Sequence, residues 1–460
     1  MIVPTVPGKS RSWAWILIGL ATLSFPPARG DTLVIEGGSL FDPDTGVMRP
    51  NGAVVIEGDR IKTVIPVGQP VPVIAGASRV DAKAKFLMPG LIDAHVHLVH
   101  VLDFAHVTGD EILPLFLAAG VTSVRDTGDE IVAETLVAHF AAAHPEASPR
   151  VFLCSPLIDA DPPIHRDIGF PLVDPEKVPA FVDEMAAWGV TTLKIYAKTG
   201  RAVGRRVIEE GHRRGFKVTA HLGPYSAQDA ADDGIDCLEH IWSVFNYVIP
   251  AEAARHPDHR STLDLGNPIA RKLVASLARG GVAVDPTLAV FRNMILLNDR
   301  PEYHDHPDNA HVPARLRAWW NGYRTRSGLK PETLALRRGE FKKYQELTAI
   351  LHRAGVTLLA GTDAPEPYVA PGFSLHQELE MLVESGLPPA AALRAATLNN
   401  AQALGQTENL GTIEPGKLAD LLVLSADPLA DIRNSRKIER IVKGGRLCDP
   451  KTVLQMVPAR

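Results

Sequence analysis

The feature that most constrains this chain is a recurring unit: a short apolar segment ending in polar residues, followed by a stretch with helical periodicity. The apolar segments are GLIDAHVHL, GVTSVRDTG, RVFLCSPLI, TTLKIYAK, FKVTAHLG, GIDCLEHI, GVAVDPTL and GVTLLAGTD. Stretches such as DEILPLFLAAG, ETLVAHFAAAH, VPAFVDEMAAWG, IARKLVASLARGG and KKYQELTAILHRAG lie between most of them, with apolar residues spaced to line one helix face. Gly closes helices just before a strand, as in Ala119-Gly120-Val121 and Ala354-Gly355-Val356. Strands and helices alternating in this way predict an α/β fold, a closed parallel (β/α)8 barrel. An open doubly wound sheet is the alternative. No G-x-G-x-x-G stands at a strand–helix turn, so a dinucleotide fold loses its main support.

The flanks read differently. Residues 31–86 alternate apolar and polar residues between Gly, Asp and Pro turns, and residues 406–460 repeat that pattern. Neither piece is large enough for a good core, so the two are expected to form one small β-sandwich beside a barrel over residues 87–405. Before them, Lys9 and Arg11 precede an apolar run from Trp13 to Phe25, then Pro26, Pro27 and Ala28-Arg29-Gly30. That is the layout of a cleavable secretory signal over residues 1–30. The apolar run falls short of the ~20 residues a membrane span needs. No Cys stands at the cleavage point for a lipid anchor. The expectation is a secreted or periplasmic protein with no stable membrane association once cleaved, an uncleaved anchor being the alternative. A net charge of −5 without a basic stripe argues against nucleic acid, and three cysteines exclude a disulfide scaffold.

The chemistry lies at the strand ends. The first ends in His95-Val96-His97, and alternate residues of a strand face the same side. The fourth carries Lys194 between apolar neighbours, the fifth ends in His221, the sixth in His240 and the eighth in Asp363. A barrel would gather these tips into one ring. Imidazole and carboxylate are ligands for zinc and its neighbours, whereas an ammonium offers no lone pair. Two readings of Lys194 remain open. Burial and nearby cations could lower its pKa, so that the neutral amine adds carbon dioxide and the carbamate bridges two metals. Otherwise it is a charged donor beside a single metal. His100, His106, His139 and His144 read as structural or surface residues. Two long loops, residues 159–174 and about 290–328, follow strands and should lie on the active face.

These tips, with Met88-Pro89-Gly90-Leu91-Ile92-Asp93-Ala94-His95-Val96-His97, Glu239-His240, Gly361-Thr362-Asp363 and the stretch IEPGKLAD, resemble the amidohydrolase superfamily over nearly the whole chain beyond residue 30. The resemblance implies a distorted (β/α)8 barrel with an appended β-sandwich. VRDTG and SLHQELEMLVESGLPPAAALRAAT are similar to the imidazolonepropionase-like and prolidase-like branch. Lys194 favours its two-metal, dipeptidase-like members. In those, His95, His97 and Asp363 would bind one divalent ion, His221 and His240 the other, and carboxylated Lys194 would bridge; zinc is the default metal. The implied reaction is hydrolysis of an amide or dipeptide-like C–N bond of a small molecule by metal-activated hydroxide, with Asp363 as general base and acid. Candidate substrate contacts are Tyr196, Tyr225, His165, Arg166 and Arg125, whose donors suit a free carboxylate. Competing readings are a lactonase or organophosphate esterase on the same metals, a one-metal imidazolonepropionase-type cyclic amidase, and a non-catalytic scaffold. Sequence leaves the oligomeric state open, a homo-oligomer included.

Overall fold

The computed structural model describes residues 32–326 and 330–458. The segment read as a secretory signal lies outside them. No helix among the described residues is long and apolar enough to cross a membrane.

The central strands are Leu91–Val96, Val121–Asp126, Arg150–Phe152, Thr192–Ile195, Lys217–Ala220, Cys237–Glu239 and Ala283–Asp285. Each pairs in parallel with the next, through Leu91↔Val121, Ser123↔Arg150, Cys154↔Thr192, Lys194↔Thr219, Thr219↔Cys237 and Leu238↔Val284. Bridges Val284↔Leu358 and Val96↔Ala364 then close the circle. The barrel is distorted at two of the predicted strands. RVFLCSPLI breaks after Phe152 and resumes as Leu157–Asp159, because Pro156 interrupts it without an N–H to donate.

GVTLLAGTD forms no regular strand. Its backbone is held by single bonds: Ala94 N–H donates to Ala360 O at 3.1 Å and His97 N–H to Ala364 O at 2.8 Å. The Asn400 amide supplies what a ladder would, donating to Ile92 O and Ala360 O at 2.7 and 2.8 Å. Gly361 is required here, since a Cβ would fall 2.0 Å from Asp285 Oδ2 and 2.6 Å from His95 Cβ.

The flanking segments form a nine-stranded sheet. The halves meet where Leu421–Leu424 runs antiparallel to Phe86–Pro89, with Leu422 opposite Met88. The long strand Val47–Glu57 pairs with both Thr32–Glu36 and Ser39–Asp42, so one continuous sheet curls over instead of two separate sheets stacking. Its inner face buries Leu33, Ile35, Val54, Ile56, Leu87 and Leu421.

Both long loops lie on the strand C-terminal side. The first follows Leu157–Asp159 and returns as Gly169–Pro171 beside it. The second carries the helices Leu288–Ile295 and Ala314–Arg326. Trp320 on it donates from Nε1 to Pro365 O at 3.1 Å, which fastens it over the segment just after Asp363.

Candidate metal centre

Backbone register decides which side chains meet. His221 N–H donates to Ile195 O at 3.0 Å, His240 N–H to Asp285 O at 2.8 Å and Asp363 N–H to His95 O at 2.8 Å, so the tips stand level around one ring. His95 and His240 have ring centroids 4.6 Å apart, His221 and His240 4.7 Å, and His95 and His97 5.5 Å. Nε2 of His95 and Nε2 of His97 each lie 3.4 Å from Asp363 Oδ1. Ligand atoms around a tetrahedral cation with ~2.0–2.1 Å bonds are about 3.3 Å apart, so this trio already has the spacing of a metal cradle.

The electrostatics fit a cation. Burial pushes His95 down to about 4 and His221 to about 3, and lowers His240 well below the usual imidazole range. These shifts favour the neutral imidazole, the form able to coordinate a cation. Burial works against a charged His97 too, but Asp129 and Asp363 hold it up to about 10. Its Nδ1 lies 3.7 Å from Asp129 Oδ1, an ion-pair distance and not a hydrogen bond, so a metal taking Nε2 would displace a proton.

Lys194 is 1% exposed and its Nζ has no hydrogen-bond partner among the described residues. Lys194 pairs with Thr219, two residues before His221, which sets it on the strand beside the one that ends in His221. An unpaired buried ammonium costs several kcal/mol, and burial lowers the Lys194 pKa accordingly. The residues present therefore fit a divalent metal.

The amidohydrolase family model matches residues 86–448. The chain belongs to the amidohydrolase family. It is 23% identical to an imidazolonepropionase of Symbiobacterium thermophilum over 93% of this chain and 95% of that one. It is 24% identical to an adenine deaminase of Rubrobacter xylanophilus over 91% of this chain, which spans only 59% of that protein's length. The solved structure of a candidate prolidase from Bifidobacterium longum is similar at a TM-score of 0.70 and 25% identity, covering 93% of this chain and 99% of that one. A Xaa-Pro dipeptidase structure shares the fold at a TM-score of 0.68 and 20% identity, over 91% and 100% of the two chains. Amidohydrolase-family proteins typically bind divalent metals.

Beneath this amidohydrolase ring lies a support that sequence reasoning missed. Glu239 Oε2 faces His95 Nδ1 at 2.8 Å, which leaves Nε2 as the free ligand atom. Arg125 donates to Glu239 Oε1 at 2.5 Å and to Ala94 O at 2.6 Å, and Thr219 Oγ1 also donates to Glu239. Burial opposes a charged Glu239, but Arg125, Lys194 and His95 hold its carboxyl well below the usual range. His240 Nδ1 is fixed by Thr287 Oγ1 at 2.8 Å. Asp93 accepts from the Thr362 hydroxyl at 2.7 Å and ties the first strand to the residue before Asp363.

The substrate-contact expectations divide. Arg125 is corrected: it is 1% exposed, with Nε donating to Ala94 O and Nη2 to Glu239, which places its guanidinium in the floor beneath His95. Tyr225 is corrected too. The chain turns away after His221, and its hydroxyl donates to Asp233 at 3.0 Å while its ring packs against Gly204 on the outer helix Arg201–Arg213.

Tyr196 and His165 do stand at the mouth, with His165 Nε2 and Tyr196 Oη 3.1 Å apart and the Tyr196 ring 5.0 Å from His221. Arg166 beside them is exposed. Glu366, three residues past Asp363, was not expected. Burial and the Asp363 charge push it up to about 8. Its place in the GTDAPE stretch was the available signal.

Proposed function

We propose that this chain hydrolyses a C–N bond of an amide or dipeptide-like small molecule, using two divalent cations with zinc as the metal. The observation that carries this reading is the pair of 3.4 Å separations from Asp363 Oδ1 to the Nε2 atoms of His95 and His97, in the ring that also buries an unpartnered Lys194. His95, His97 and Asp363 would hold one ion and His221 and His240 the other, with Lys194 as a carbamate shared by both. Bound there, the cations would acidify a water and polarise a carbonyl.

The remaining work falls to the chain's own side chains. Asp363 Oδ1 is turned to the first pair of imidazoles and Oδ2 stands 3.9 Å from His240 Nδ1. His95, His240 and His97 outweigh burial and keep this carboxyl well below its usual range. Asp363 would take the proton of the attacking water and pass it to the leaving nitrogen, the stronger base. Tyr196 and His165, with Arg166 behind them, offer donors for a substrate carboxylate at the mouth. The prolidase name of the Bifidobacterium longum neighbour supports a dipeptide-like substrate. The imidazolonepropionase relative supports a cyclic amide as the second reading.

A panel of dipeptides, N-acyl amino acids, cyclic amides, lactones and phosphotriesters, assayed with zinc-reconstituted protein, tests the reading. Turnover of dipeptides or N-acyl amino acids above the rest is the expected result. Preference for lactones or phosphotriesters would replace it with the esterase alternative. Loss of turnover on metal removal and its recovery on readdition separates an enzyme from a scaffold. Metal content per chain decides between one ion and two. A carbonyl signal in the carbamate region after supply of 13C-bicarbonate tests the lysine modification. We also propose export through residues 1–30; a mature N-terminus near residue 31 is the expected product.

A further inference from the structure

A second group of metal-ligating side chains stands at the barrel mouth, outside the six-residue ring. His100, His165 and Asp167 each offer one ligand atom, all within 4.8 Å of one another. His100 Nδ1 and Asp167 Oδ2 are 2.5 Å apart, and the His100 and His165 rings are 5.0 Å centroid to centroid. The three come from two separate pieces of chain. His100 directly precedes the short helix Val101–Ala105, and His165 and Asp167 lie in the first long loop.

The backbone presenting His100 is fixed, since the N–H groups of Val99 and His100 donate to the Asp129 carboxylate at 2.7 and 3.1 Å. Phe104 covers one flank of His100, with ring centroids 5.0 Å apart. The side chains of His100 and Asp167 keep 15% and 24% of their exposure, so an ion could reach them from solvent.

We propose that His100, His165 and Asp167 form a further divalent-cation site at the mouth of the barrel, separate from the ring of His95, His97, Lys194, His221, His240 and Asp363. Two imidazoles and one carboxylate form a zinc-type donor set, and three protein ligands leave a position for water or a ligand oxygen. The about 3.3 Å spacing of ligand atoms around a tetrahedral ion lies between the 2.5 Å His100–Asp167 separation and the 4.8 Å within which all three atoms fall. Asp167 supplies a negative charge within the trio, with Asp129 behind His100. The site shares no ligand with the ring; His165 is the one residue it has in common with the proposed substrate contacts, so the test uses His100 and Asp167.

The test is equilibrium dialysis of the full chain against graded zinc, with metal counted by elemental analysis. The unaltered protein should take up one zinc per chain beyond those of the ring, and more weakly. His100→Asn and Asp167→Asn should each weaken that last equivalent at least 10-fold and leave the tighter metal in place. His95→Asn should do the reverse. If the ring holds no metal, a single equivalent remains, lost in the first two variants and kept in the third. Circular dichroism checks that each variant is folded. An uptake curve unchanged by both His100→Asn and Asp167→Asn, or no further equivalent in the unaltered protein, overturns the proposal.

Discussion

Ile35 in the curled sheet and Glu239 in the barrel are both fully shielded from solvent, and each reaches that state by opposite means. Ile35 sits among Leu33, Val54, Ile56 and Leu87, where removing apolar area from water stabilises the fold and no partner is specified. Glu239 is tolerable only because Arg125, Thr219 and His95 surround it. Remove one and the desolvation cost of the rest stands unopposed. The curled sheet can exchange one hydrocarbon for another of similar volume. The barrel floor cannot, because the Glu239 carboxylate needs each of its charged and polar partners.

That contrast can be broken experimentally. Asp363→Asn should lower kcat by about 10²- to 10⁴-fold, the range for losing a positioned acid–base group, with the fold intact. Near-normal turnover would remove Asp363 from the chemistry. Arg125→Met leaves Glu239 buried without its counter-charge and should cost about 3–5 kcal/mol in denaturant unfolding. A loss below about 1 kcal/mol, the scale of an exposed pair, would mean that the floor is wetter than its burial indicates. Leu87→Ala in the sheet should cost about 2–5 kcal/mol and leave turnover per folded molecule unchanged. A fall in turnover at constant folded fraction would show that the sheet and the site are coupled. Thr287→Val removes the hydroxyl that orients His240 and should weaken metal binding by roughly 10- to 100-fold, read by competition with a chelator.

The smallest effect concerns pH. Burial pushes Asp93 up to about 7, and Glu366 and Glu378 up to about 8. Each therefore keeps its proton in the folded chain at pH values where the unfolded chain has released it. Their stabilising contribution is complete below about pH 4 and is lost as pH rises towards 8. Metal-free protein should melt at progressively lower temperature between pH 5 and 8, and Glu366→Gln should flatten that slope. Parallel curves for the two proteins would show that Glu366 is not protonated in the fold.

The strand tips were legible because two simple periodicities fix them: alternation puts His95 and His97 on one side, and the strand–helix unit brings distant tips level. The floor was not legible for the same reason. Arg125 ends its strand like a mouth residue, but its guanidinium folds back to Ala94 O, and only the path of the side chain reveals it. Glu239 was visible only as the neighbour of His240. Tyr225 follows His221 closely in sequence, and the turn at Gly223 and Pro224 sends it outward, which spacing does not encode. The eighth segment has strand composition but an irregular backbone, because Asn400, some forty residues on, meets its hydrogen-bonding needs. The contact of His100 with Asp167 spans more than sixty residues into a loop without periodicity, which spacing does not encode.

The junction of Leu421–Leu424 with Phe86–Pro89 also has a consequence for biosynthesis. A ribosome must emit over three hundred residues before the early strand finds its mate, so until then that strand offers an open hydrogen-bonding edge. A product cut short before residue 420 would keep this edge and be expected to aggregate, even with every residue of the ring already translated.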